Sequence, residues 1–126
     1  MKFNSQICTS REQSERLLAL GLKKETADMW YPHFARTCPI PLVDETLASD
    51  DIPAWSLARL VEMIPTYVGG DLECQITRGD VSYRLWNEKR GRSEVQKIFA
   101  KENFYDAIID CIEWLIKEGY FKEYLV

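Results

Sequence analysis

A chain of 126 residues with 46% apolar and 12% aromatic side chains has enough hydrophobic mass to bury a core without disulfides, and is too apolar to be disordered. Its net charge is −4, and no segment is strongly basic: residues 71–102 hold seven Lys or Arg against six Asp or Glu, with acidic flanks on either side. Phosphate binding needs several unopposed cations on one face, so charge argues against nucleic acid and leaves it open only around 71–102.

No apolar run reaches the length of a membrane span, and the first six residues lack the apolar core of a signal peptide, which points to the cytoplasm. Four cysteines (Cys8, Cys38, Cys74 and Cys111) lie 30, 36 and 37 residues apart, without the short spacing of a structural zinc site. They read as free thiols in a reducing compartment, Cys74 and Cys111 as small buried hydrophobes. No metal ligand set and no cofactor motif emerges: there is no Walker loop, dinucleotide fingerprint or nucleophile elbow.

In chain order, Thr9-Ser-Arg-Glu12 has the spacing of a capping box and opens a helix that ends at Gly21. Thr26–Trp30 allows one more helical turn before Pro32. Residues 31–52, with three prolines and two acidic pairs, read as an extended loop with a short strand near Ile40–Val43. Pro53–Ile64 reads as a second helix, with Pro53 in its first turn, Asp51 or Ser56 as cap, and Leu57, Leu60, Val61 and Ile64 as its apolar stripe.

Leu72–Trp86 reads as a hairpin around a Gly79-Asp80 type II′ turn, in which Ile76 faces Tyr83 and Cys74 faces Leu85. The opposite face carries Glu73, Gln75, Arg84 and Trp86. After the turn Asn87–Arg92, a third strand over Glu94–Ala100 sets Val95, Lys97 and Phe99 against Gln96 and Ile98. Asn103 caps a last helix with Phe104, Ile108, Cys111, Ile112 and Leu115 buried, and Gly119 ends it.

These elements predict an α+β fold in one domain, 1–126. A helical and irregular N-terminal segment, 1–52, packs on an α-β-β-β-α two-layer unit, 53–126, built on a three-stranded antiparallel meander with both helices on one face. The open sheet face carrying Trp86 is where the N-terminal segment is expected to pack. The element order is similar to that of double-stranded-RNA-binding domains, which grip phosphates with lysines at the start of the last helix. Here that turn is acidic, with Asp106 and Asp110, and it repels phosphate.

Among candidate sites, Arg84 and Trp86 on the polar hairpin face, extended by Lys89, Arg90 and Arg92 in the following turn, join an aromatic to guanidinium groups. Such a group anchors a protein partner or stacks a base. Asp106, Asp110, Glu113 and Lys117 form one stripe of the last helix and read as its solvated face. His33, the only histidine, and Cys38 offer a thiolate–imidazole pair only if the fold brings them together.

Three segments, Glu12–Met29, Ile52–Pro65 and Tyr105–Tyr120, taken in that order, resemble a family of small uncharacterised proteins from gut anaerobic bacteria, often in prophage-like or conjugative elements. The resemblance implies an accessory role in a bacterial mobile element and brings no activity or site residues. The sequence thus predicts a non-enzymatic cytoplasmic binding protein with a protein partner. The alternative is a nucleic-acid-associated protein using the same Arg84/Trp86 patch.

Overall fold

The computed structural model describes residues 6–33, 39–41 and 51–126. The fold is α+β, with three α-helices and two antiparallel sheets of three and four strands among the described residues. The chain divides into two compact units, Met1–Met63 with Tyr124–Val126, and Ile64–Glu123.

In the first unit, helix α1 (Arg11–Ala19) has a complete capping box, one residue later than its spacing suggested. Ser10 Oγ accepts from Gln13 N at 3.1 Å, and Gln13 Oε1 accepts from Ser10 N at 2.9 Å. Thr9 is instead drawn into the core: fully buried, it shares a 2.7 Å hydrogen bond with Ser14 and accepts the Trp55 amide at 3.1 Å. Gly21, at φ +101°, closes α1 with the paired backbone bonds of a Schellman motif, Gly21 N to Leu18 O and Leu22 N to Leu17 O.

A 3₁₀ turn, Lys24–Thr26, follows, but Met29–Tyr31 is a strand (β1) and not a further helical turn. It is the centre of a small sheet between β2 (Ile40–Pro41) and β3 (Ile52–Ala54). The expected strand at Ile40–Val43 is present over its first two residues; the other two lie outside the described residues.

Pro53 therefore sits opposite Trp30 in the sheet, not in a helix. Helix α2 is shorter than its apolar pattern, running over Leu57–Met63. Ser56 caps it, accepting from Arg59 N at 3.2 Å, and is held by Asp28, whose carboxylate accepts from the Ser56 amide at 2.8 Å and from its hydroxyl. Leu60 and Ile64 of the stripe are buried, while Val61 is exposed. Because β3 leads directly into it, α2 groups with the N-terminal residues, and the expected 53–126 unit is divided between Met63 and Ile64.

The second unit is a sheet in the order β4-β5-β6-β7, over Tyr67–Val68, Leu72–Thr77, Asp80–Asn87 and Arg92–Ala100. It has one strand more than the expected meander, because β4 adds a two-residue ladder to β5. The hairpin turn is Arg78-Gly79 and not Gly79-Asp80, so Ile76 pairs with Val81, Cys74 with Tyr83 and Leu72 with Leu85. Thr77 Oγ1 donates to Asp80 Oδ1 at 2.6 Å across the turn, which uses Asp80 as the first residue of β6.

The shift moves each pair by two, an even number, so every side chain keeps the face predicted for it. A bulge in β7 does change faces. Tyr83 pairs with Lys97 and Arg84 with Val95, which leaves Gln96 unpaired. Lys97 and Phe99 stay with Tyr83, while Val95 crosses to the Arg84 face beside Ile98.

Helix α3 (Phe104–Lys117) covers the Tyr83 face. Asn103 Oδ1 caps it from the Tyr105 and Asp106 amides, and a second Schellman closure at Gly119, φ +81°, ends it. Ile108, Cys111, Ile112 and Leu115 are fully buried. Trp114 joins helix to sheet, its ring 5.5 Å from Tyr83 and 5.9 Å from Phe99.

Cys74, Tyr83 and Cys111 come together under this helix, and burial pushes both thiols and the phenol above their ordinary values of 9.0 and 10.0. The folded chain thus keeps protons that the unfolded chain releases. Stability is expected to be flat below pH about 9 and to fall as pH rises above it, seen as a declining melting temperature. Native Cys111 should resist iodoacetamide until urea is added; alkylation at equal rates in both conditions would refute its burial.

Candidate functional site

The face of the four-stranded sheet opposite α3 is built by register alone. Tyr67, Glu73, Arg84 and Val95 form one row across all four strands. Gln75, Ser82 and Ile98 form the row on one side of it, and Trp86 with Ser93 lies on the other. Four large apolar side chains on this face are exposed: Tyr67 and Trp86 at 60%, Ile98 at 50% and Val95 at 42%. Scattered single hydrophobes are ordinary on a protein surface, but four on one sheet face, two of them aromatic, make a patch.

Arg84 is half-buried, and its Nε donates to Ser82 Oγ at 3.2 Å. A shallow pocket of about 320 Å³ opens at the Trp86 end, lined by Asp71, Glu73, Gln75, Arg84, Trp86 and Ser93 among others. Arg84 and Trp86 both line this pocket.

The basic turn is arranged differently. Arg92 pairs with Asn87, which sets it on the opposite face from Trp86. Arg90 Nη1 is 3.2 Å from Glu94 Oε1, and its amide donates to Asn87 Oδ1. Lys89 is exposed in the turn itself. Register therefore separates Arg92 from the Arg84–Trp86 pair, and Glu94 partly neutralises Arg90.

Tyr67 and Val95 were not legible as members of this face. The two-residue β4 has too short a pattern to read, and alternation along β7 assigns Val95 correctly only once the bulge is known. Two polar residues between two apolar ones, as in Val95-Gln-Lys-Ile98, are the sole hint.

Elsewhere, His33 has a partner that spacing did not suggest. Its amide and its Nδ1 both lie 3.1 Å from Asp51 Oδ1, and the Asp51 side chain is 5% exposed against 50% for His33. Such a pair orients an imidazole, which is one half of a catalytic triad's logic. Cys38, the expected thiol partner, lies outside the described residues. Asp51, once a candidate helix cap, is used here instead.

The acidic stripe of α3 is tied by surface ion pairs, Lys117 to Glu113 at 3.2 Å and Lys101 to Asp110 at 3.8 Å. Exposed pairs of this kind contribute little to stability. Among the described residues, no group of three or more His, Cys, Asp or Glu is placed to hold a metal ion, and no helix is long and apolar enough to cross a membrane. Compared with protein-family models, curated proteins and solved structures, the chain finds no match.

Proposed function

We propose that the protein is a non-enzymatic binding module that recognises another protein through the outer face of its four-stranded sheet. The observation that carries this reading is the joint exposure of Tyr67, Trp86, Val95 and Ile98 around Arg84. Tryptophan, tyrosine and arginine are the residues that most often dominate protein–protein binding energy, and flanking aliphatics exclude water from them. A role in a bacterial mobile element rests on the resemblance of the three segments alone.

The nucleic-acid alternative draws less support from the same geometry. Of the five residues Arg84, Trp86, Lys89, Arg90 and Arg92, Arg92 is turned to the other face and Arg90 is paired with Glu94. Counterion release needs cations that are not already opposed.

The test is co-purification of the tagged full chain from its host, analysed by native mass spectrometry, beside Trp86→Ala. An indole that is 60% exposed contributes little to folding, so the variant's melting temperature should stay within a few degrees of the parent's. A stoichiometric protein should be recovered with the parent and lost with the variant. Recovery that rises steeply as salt is lowered, with nucleic acid in the complex, would favour the alternative.

A further inference from the structure

We infer that the pocket at the Trp86 end of this face takes a basic side chain, an arginine or lysine of the partner polypeptide, between the indole and the carboxylates of Asp71 and Glu73. The inference rests on the reading of this face as a partner surface and names the chemistry of what binds there.

The pocket wall brings the three groups together. Glu73 stands opposite Arg84, one step along from Trp86, and is therefore diagonal to the indole. Asp71, in the turn that leads into β5, lines the same pocket as Trp86. Both carboxylates line the same pocket as the indole, and both are exposed. Among the described residues neither is held in a salt bridge. The one cation in the pocket wall, Arg84, is anchored on Ser82.

The Trp86 corner is thus acidic and aromatic at once. An indole face attracts a cation through its quadrupole, tryptophan most strongly of the aromatics, and the carboxylates add Coulomb attraction. An anion in the same place meets two carboxylates and the negative face of the ring. A volume of about 320 Å³ is at the low end of small-ligand pockets and suits one long side chain. A guanidinium fits best, because its plane stacks on the indole while its fork reaches a carboxylate; an ammonium makes the charge contact without the stacking.

The test is titration of the ¹⁵N-labelled full chain with N-acetylarginine methylamide, its lysine analogue and its glutamate analogue. The Trp86 indole N–H and the amides of residues 71–75 are followed, with the indole signal assigned from Trp86→Ala. Saturable shifts are expected with the arginine and lysine probes, tighter for arginine, and none with glutamate. The double variant Asp71→Asn, Glu73→Gln should weaken arginine binding about fivefold, the scale of two exposed ion pairs. Equal binding of the glutamate probe, absence of arginine binding, or arginine binding unchanged in the double variant overturns the inference.

Co-purification separates this from the underlying reading. A protein partner lost by Trp86→Ala but bound with unchanged affinity by the double variant leaves the surface intact as a partner site and overturns the basic side chain. A partner kept by both variants removes the surface reading itself.

Discussion

Replacing Trp55 with alanine is expected to destabilise the protein by about 3–5 kcal/mol, read from the midpoint of urea unfolding. Trp55 is fully buried, and it is the point where three segments of the first unit are tied together. Its amide donates to Thr9 Oγ1 at 3.1 Å, its carbonyl accepts from Thr9 N at 2.8 Å, and its indole Nε1 donates to Thr26 Oγ1 at 2.9 Å. The backbone bonds survive the substitution, but the fully buried indole leaves a cavity that a close-packed interior refills only in part.

Trp55→Phe separates the contributions. It keeps an aromatic body, loses the bond to Thr26 and some volume, and should cost about 1–2 kcal/mol. Net stabilities of small proteins are about 5–15 kcal/mol, so the alanine variant should have lost a large share of its total. A change below about 1 kcal/mol for Trp55→Ala would mean that the site is not packed as described.

Tyr83 makes the corresponding test in the second unit. Tyr83→Ala is expected to cost about 3–5 kcal/mol, because its fully buried ring fills the space between β6 and α3 against Trp114. Tyr83→Phe keeps that packing and removes only the hydroxyl, which donates to Pro65 O at 2.7 Å, so about 1 kcal/mol is expected. Calorimetry or chemical denaturation of the pair distinguishes ring from hydroxyl. Equal losses in the two variants would assign the stability to the hydrogen bond and contradict the packing account. Tyr83→Phe should also reduce the alkaline loss of stability, since it removes one of the three groups held protonated under α3.

The contrast between Tyr83 and Trp86 bears on the functional proposal. They lie three residues apart on β6 and face opposite sides of the sheet, Tyr83 fully buried against α3 and Trp86 60% exposed. Alanine at Tyr83 should therefore cost stability, and alanine at Trp86 partner binding.

Several features were legible in the amino-acid sequence because their causes are local. Asn103 and Gly119 bound α3, since a side-chain acceptor and a left-handed residue each act within a turn of their own position. Gly21 ends α1 for the same reason. The faces of the hairpin were readable as well: alternation depends only on parity, which is why Cys74 and Tyr83 share the buried side although the turn is one residue earlier than its glycine suggested.

Other features were decided by tertiary structure. Met29–Tyr31 and Pro53 became strand because they pair with each other across more than twenty residues, a contact that no local preference reports. Ser10 displaced Thr9 as the cap because the Thr9 hydroxyl is used by Ser14 and by the distant Trp55. Val95 reached the exposed face through a bulge that exists only where β7 meets β6, and Tyr67 through a ladder of two residues. Local chemistry determined where α3 starts, where α1 and α3 stop, and which side of the hairpin is apolar. Long-range pairing alone decided which residues stand together on the face proposed to bind, because register between strands is a property of two segments and is written in neither one.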